Sequence, residues 1–159
     1  MTDPNYRSST GAISARELIV AEDAGWNELH SLMDMLTPEQ AERPGYYTEG
    51  WSAKDLLAHI GSWLAEAGVI LAQISAGTFR PEAIDVDTLN QKFLEAMKDV
   101  PFGVVQAQAW SARTRMLQAL GSLPELTSEA AYWIRKSGAE HYAEHLPRFR
   151  EWVAELQAG

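Results

Sequence analysis

Apolar residues recur at intervals of three and four along four stretches of the chain, which is the spacing of one face of an α-helix. The stretches run from Leu18 to Leu36, from Leu56 to Ile74, from Val105 to Leu123 and from Ile134 to Leu156. No stretch shows the alternation of apolar and polar residues that is typical of a half-buried strand. Four amphipathic helices bury their apolar faces against one another, so the pattern predicts an all-α protein, a four-helix bundle.

The first helix is predicted to begin at Ser14, because Glu17 follows three residues later and completes a capping-box pattern. The chain before Ser14 is polar and shows no helical stripe. We therefore expect a flexible N-terminal arm over residues 1–13 and a single domain over residues 14–159. A chain of 159 residues is long enough for one ordinary domain and too short for two.

The clearest helix start in the sequence is Ser52, where Asp55 closes a second capping box. A third helical region starts near Asp85 or Asp87. Pro101 and Gly103 are expected to break or kink that region, because proline removes a backbone donor and clashes with the preceding turn.

The charge balance bears on the partners of the protein. Acidic residues outnumber Lys and Arg by 22 to 13, which gives a formal net charge of −9. Phosphate contacts need clustered basic side chains, so we expect no nucleic-acid partner, and acidic membrane surfaces are disfavoured for the same reason. No segment has the roughly 20 consecutive apolar residues of a membrane span, and the N-terminus does not resemble a signal peptide. The expected partner is a small-molecule substrate, and the expected compartment is the cytoplasm.

The sequence contains no cysteine. This excludes disulfides, thiolate metal ligands and a cysteine nucleophile. Any thiol chemistry would therefore need a thiol supplied by a small molecule.

Three of the four histidines lie on apolar helical stripes. His141 and His145 are four residues apart, so on one helix they stand a turn apart and can bind one ion, while His59 lies on the inner stripe of another helix. Three protein ligands with an open position are the usual layout of a catalytic metal. The alternative is that His59 is a core histidine bonded to a carbonyl and that the pair is incidental. Burial favours a metal, because two desolvated imidazoles need partners. His30 is interpreted as an interfacial or partly exposed residue.

Charged residues near the histidines offer weaker candidates. Glu66 lies seven residues after His59 and is a candidate acid/base or a group that supports a metal ligand. Glu144 is interpreted as part of an edge that is either solvated or in contact with the metal ligands. Arg113 and Arg115 either meet an anionic substrate or are surface charge.

Two motifs resemble the DinB-like superfamily, which includes the N-terminal domain of mycothiol-dependent maleylpyruvate isomerase. The first is the run from Gly50 to Ile60 followed by Trp63, and the second is the run from Glu140 to Pro147. The resemblance implies an up-up-down-down bundle with one long connection. It also implies one divalent metal ion, of the zinc or nickel type, held by three histidines that map onto His59, His141 and His145. Members with known activity use low-molecular-weight thiols, and homodimers are frequent.

The function implied is that of a thiol-dependent transferase or isomerase acting on a small electrophilic molecule. The alternative is a non-catalytic protein that binds or sequesters a small molecule, since a related branch with a self-resistance role shares the bundle without needing the metal. A purely structural dimer module is a third hypothesis. All three share one fold and differ only at the pocket.

Overall fold

Seven helices make up the regular structure of residues 14–46 and 50–159, which are the residues described by the computed structural model. They are α1 (Ala15–Asp34), α2 (Pro38–Ala41), α3 (Ala53–Ala76), α4 (Val86–Met97), α5 (Phe102–Gly121), α6 (Ser128–Ser137) and α7 (Ala139–Ala158). The all-α prediction is confirmed. The arm predicted over residues 1–13 lies outside the described residues.

The four long helices α1, α3, α5 and α7 form the bundle and share one apolar core. Arg150 of α7 pairs with Glu28 of α1, and Gln157 farther along α7 bonds to Met35 farther along α1, so these two helices run in the same direction. Gly61 and the later Gly68 of α3 lie beside Ala109 and the later Met116 of α5, so α3 and α5 also run in the same direction. Arg113 of α5 bonds to Glu22 of α1. Trp110 comes before Arg113 in α5 and contacts Trp26, which comes after Glu22 in α1, so α1 and α5 are antiparallel.

The directions along the chain are therefore up, down, down and up. The four-helix bundle is confirmed, while the order of directions within it differs from the up-up-down-down order that the resemblance implies. The parallel pair α3 and α5 needs a connection that returns the length of the bundle. Residues 77–101, which include α4, supply it.

The helix starts follow local capping. Ser52 accepts a hydrogen bond from the backbone N–H of Asp55, and the Asp55 carboxylate accepts one from the backbone N–H of Ser52, so the predicted box is complete. Ser14 caps α1 by accepting from the backbone N–H of Glu17. These caps satisfy N–H groups that the first turn of a helix leaves without partners.

The central helix α3 packs very closely on α5. A Cβ atom added at Gly61 would lie 3.0 Å from the Cβ of Ala109, so the absence of a side chain lets the two backbones approach. Helix α3 alone among the described helices is long and apolar enough to cross a membrane, and 56% of its most apolar window is buried inside the bundle. Such burial is typical of the core helix of a soluble domain.

Two breaks divide the longer predicted helical stretches. Pro101 separates α4 from α5, as expected. The stripe from Ile134 to Leu156 predicts one helix, but the chain breaks at Gly138 between α6 and α7. A Cβ atom at Gly138 would lie 2.7 Å from the carbonyl oxygen of Ile134, so this sharp junction requires glycine.

Candidate metal centre and its pocket

Three histidines from two helices meet in the bundle interior. The Nε2 atom of His141 lies 2.9 Å from Nε2 of His59 and 3.2 Å from Nε2 of His145. The potential ligand atoms of all three side chains lie within 4.8 Å of one another. Each residue is at most 9% exposed. The convergence of imidazoles from α3 and α7 agrees with the sequence prediction of where these side chains lie.

Two of the nitrogen separations fall in the range expected for donors around a single ion. Zinc–nitrogen bonds of about 2.05 Å place neighbouring donors roughly 3.3 Å apart in tetrahedral geometry and roughly 2.9 Å apart in octahedral geometry. The measured 2.9 and 3.2 Å match this range. Nδ1 of His59 is buried and bonds to no group in the described ranges, so Nε2 is the nitrogen that this side chain directs at its neighbours. The three residues therefore fit a metal ion.

Burial keeps the imidazoles neutral. It lowers the pKa of His59 to about 4, with repulsion from His145 adding to the effect. It lowers the pKa of His141 to about 3, with further repulsion from His59 and His145. The pKa of His145 is also lowered by burial, against an opposing attraction from Glu144. Neutral imidazole is the form that ligates a metal, so the site is prepared for binding at pH 7.

A buried tyrosine fixes the position of His145. Tyr46, which is fully buried in the loop before α3, donates a hydrogen bond to the backbone carbonyl of His145 (3.2 Å). Its hydroxyl also lies 3.5 Å from Nδ1 of the same residue. The ring of Trp51 lies 5.2 Å from the His59 ring on the other side of the cluster. Sequence reasoning missed Tyr46, because nothing in a loop tyrosine indicates a contact 99 residues away.

The histidines lie on the wall of a cavity of about 1100 Å³. Helix α3 contributes Trp63 and Glu66 to the cavity wall, and α6 contributes Trp133 and Lys136. Most residues of the 78–86 segment, together with Asn90 of α4, also line the cavity. Glu66 and Glu144 both line the cavity, so Glu66 remains a candidate acid/base and Glu144 lies near the histidines, as the second of its two interpretations expects.

The cavity walls combine aromatic faces with polar edges. Trp63 donates from Nε1 to the side chain of Asn90 (2.7 Å), which links α3 to α4. Trp133 donates from Nε1 to Glu129 (3.2 Å) on its own helix. Such walls suit a ligand with an apolar body and a few polar groups. The sequence did not indicate these residues, because a tryptophan stripe is equally consistent with a core.

The remaining candidates lie away from the cavity. His30 stacks on Trp26 and pairs with Asp34, in agreement with its interpretation as a partly exposed residue. Arg115 is exposed. Arg113 is neither substrate-facing nor free on the surface, because it forms an ion pair with the fully buried Glu22.

A four-helix bundle with one long crossover and three inward-facing histidines defines the DinB-like class of helical proteins. The family model of the mycothiol maleylpyruvate isomerase N-terminal domain matches residues 23–125, and the chain belongs to that family. The matched range contains His59, whereas the two histidines of α7 lie beyond it. No curated protein gives a significant match to the chain.

Two solved structures share the fold. The crystal structure of an uncharacterised protein from Escherichia coli UTI89 superposes with a TM-score of 0.74 at 17% identity, covering 89% of this chain and 94% of that one. The colibactin self-resistance protein ClbS, crystallised in complex with a double-stranded DNA, superposes with a TM-score of 0.76 at 19% identity, covering 87% and 94%.

The ClbS complex corrects the expectation that excludes nucleic acid. A protein of this fold has been crystallised with double-stranded DNA, so the exclusion drawn from net charge is wrong. The physical reason is that net charge sums over the whole surface, whereas phosphate contacts depend on the local arrangement of donors.

Proposed function

We propose that His59, His141 and His145 bind one divalent metal ion, zinc or nickel, and that the protein is a thiol-dependent transferase or isomerase acting on a small electrophilic molecule. The observation that carries the metal proposal is the meeting of three neutral, buried imidazoles, with Nε2 atoms 2.9 and 3.2 Å apart, beside a large cavity. Membership of a family named for a mycothiol enzyme supports the choice of thiol chemistry. The absence of cysteine is consistent with a thiol brought in by the second substrate.

A divalent ion bound there would act as a Lewis acid and favour the thiolate form of a nearby thiol. The chain itself would do four things. His59, His141 and His145 would hold the ion, and Tyr46 would keep the backbone of His145 in place. The aromatic walls would exclude water from the reacting groups. Glu66, on the α3 wall of the cavity, is our candidate for moving a proton to or from the substrate.

The first experiment measures metal content and stoichiometry. Purified protein, stripped with a chelator, is titrated with Zn²⁺ and Ni²⁺ in a calorimeter, and one ion per chain is expected. His59→Ala should abolish stoichiometric binding, whereas the matched variant His30→Ala should bind as the unmodified protein does, because His30 lies outside the site. A stripped protein that takes up no metal would disprove the metal proposal.

The second experiment tests for turnover. The metal-loaded protein is incubated with a panel of low-molecular-weight thiols and electrophiles, including maleylpyruvate, and thiol consumption and isomer formation are followed. Activity that disappears in His59→Ala and on chelation supports the enzyme. Metal binding without any turnover across the panel would favour the second candidate.

That second candidate is capture of a small molecule without turnover, as in a resistance protein. The similarity of the fold to ClbS, a self-resistance protein, favours it. Ligand binding would then persist after chelation and in His59→Ala, because the cavity walls rather than the metal would hold the ligand. Since ClbS was crystallised with DNA, the binding panel includes a fluorescent DNA duplex.

We also propose that residues 14–159 act as one domain in the cytoplasm. The described helices share a single core, which supports one domain. Limited proteolysis that leaves a fragment starting near Ser14, and fractionation of cells expressing the protein, would test the two statements.

A further inference from the structure

We propose that Glu22, together with Arg113 and Tyr142, forms a positioning device that sets the location of His141 relative to His59. This inference rests on the proposed function, because the device matters through the metal site. None of the three residues is among those that line the cavity, and Tyr142 adjoins His141 in the chain. They are therefore positioning residues rather than catalytic ones.

Glu22 is a fully buried carboxylate held by two partners. Arg113 donates from Nε to Oε1 (2.8 Å) and from Nη2 to Oε2 (2.7 Å), which is a two-pronged ion pair, and it also contacts Asp23. The Tyr142 hydroxyl donates to Oε1 of Glu22 (2.7 Å). Burial would lower the pKa of Arg113, but Glu22, with smaller contributions from Asp23 and Tyr142, more than offsets this and raises it. The cluster thus joins α1, α5 and α7 through charged and neutral hydrogen bonds.

A buried ion pair is a poor way to stabilise a fold. The cost of removing both charges from water offsets most of the attraction, and well-packed apolar residues of similar size often do as well or better. What such a pair supplies is geometric restriction, because its two-pronged geometry allows one arrangement of the helices. A role in positioning therefore accounts for the burial better than a role in stability.

The cluster reaches His141 along α7. Tyr142 follows His141 directly, so its side chain leaves the helix about 100° away and points to α1 while His141 points into the cavity. Two glycines make room for this contact. A Cβ at Gly25 would lie 2.6 Å from Tyr142, and a Cβ at Gly138 would lie 3.0 Å from Cγ of Glu22.

The same cluster reaches His59 through α5. Arg113 lies one turn beyond Ala109, and the backbone of Ala109 is pressed against Gly61 of α3, two residues after His59. A continuous set of contacts therefore runs from His59 through α3, α5, Glu22 and Tyr142 to His141. Loosening it at Glu22 should let α7 shift with respect to α3.

The test compares Tyr142→Phe and Glu22→Gln with Leu71→Ala. Leu71 is fully buried on α3, roughly 18 Å along the helix from His59, so its truncation destabilises the core without touching the cluster. Co²⁺ affinity and the visible spectrum of bound Co²⁺ are measured for each folded variant. We expect Tyr142→Phe and Glu22→Gln to lose Co²⁺ affinity about tenfold or more and to change the spectrum, as changes beyond the ligands of metal sites commonly do. Leu71→Ala should stay within about twofold of the unmodified protein.

A second readout needs no metal. Long-range ¹H–¹⁵N spectra of the metal-free protein report the imidazole environments, and Tyr142→Phe should move the resonances of His141 and His59 but leave those of His30 in place. If the unmodified protein binds no Co²⁺, the proposed function fails and this spectrum alone decides the positioning role. Unmoved resonances would overturn the inference. So would folded Tyr142→Phe and Glu22→Gln proteins with unchanged Co²⁺ affinity. An equal loss of Co²⁺ affinity in Leu71→Ala would overturn it as well.

Discussion

Acidification of the metal-free protein should lower its free energy of unfolding, because the buried histidines resist protonation. The perturbation is a change from pH 7 to pH 5 in the presence of a chelator. Burial lowers the pKa of His59 to about 4 and that of His141 to about 3, whereas both have a value of 6.5 when exposed in the unfolded chain. Across this pH range the unfolded chain binds more protons than the native protein, so the free energy of unfolding falls as the pH falls.

The loss of unfolding free energy depends mainly on how many protons the unfolded chain takes up. At pH 5 an unfolded histidine is almost fully protonated, while one with a native pKa of 4 or below stays mostly neutral. Between pH 7 and pH 5 each such residue removes about 2 kcal/mol of stability, so His59 and His141 together remove about 4 kcal/mol. A native pKa one unit lower would hardly change this figure. The decrease in net negative charge acts in the opposite direction by reducing repulsion.

The assay is urea unfolding followed by the fluorescence of the six tryptophans, with the free energy of unfolding measured at several pH values from 5 to 7. Replacing either His59 or His141 by glutamine should reduce the pH-dependent loss by about 2 kcal/mol. The matched variant His30→Gln should keep the full loss, because His30 is outside the cluster. The reasoning is refuted if the protein is as stable at pH 5 as at pH 7, or if His30→Gln flattens the dependence as strongly as His59→Gln.

Three further changes test individual contacts. Tyr46→Phe removes the hydrogen bond to the His145 carbonyl, so it should lower the free energy of unfolding in urea by about 1 kcal/mol and weaken zinc binding in calorimetry. Unchanged values for both would show that the hydroxyl does not position His145. Gly61→Ala places a methyl group 3.0 Å from Ala109 and should lower stability by about 1–3 kcal/mol, so a protein of equal or higher stability would contradict the close packing of α3 on α5. Ser52→Ala removes the cap of α3 and should cost about 1 kcal/mol, with Ser75→Ala on the exposed side of the same helix as a control that stays near zero.

The histidine cluster could be predicted from the sequence because the helix face on which each histidine lies follows from its neighbours in the chain. The four-residue spacing of His141 and His145 places both on one face of any helix, and His59 lies on a stripe whose burial follows from its apolar neighbours. Once the helices pack by their apolar faces, these side chains must enter the same core. The sequence could not give the distance between them, which depends on how α3 and α7 are held apart.

The features that set that distance depend on contacts between remote residues. The apolar stripe of the last stretch continues straight through Gly138, so its periodicity gives no sign of the break between α6 and α7. Glu22 stands on the apolar stripe of the first helix, a signal that this carboxylate is buried, but its partner Arg113 is 91 residues away and is indistinguishable in sequence from a surface arginine. The spacing of apolar residues predicts which face of each helix is buried, but it does not predict which buried charged residues form an ion pair.

The candidate metal ligands and the cavity walls also differ in the kind of structure that holds them. The proposed ligands stand on long helices whose packing is fixed by the core, whereas much of the cavity wall comes from residues 78–86 and from the short helix α6. The side chains of the 78–86 segment are mostly exposed. Substitutions there can alter the shape and charge of the cavity at little cost in stability, because exposed loop positions carry few packing contacts. The three-histidine arrangement can therefore stay unchanged while the cavity walls vary, so under the proposed function the walls rather than the histidines would select the small molecule.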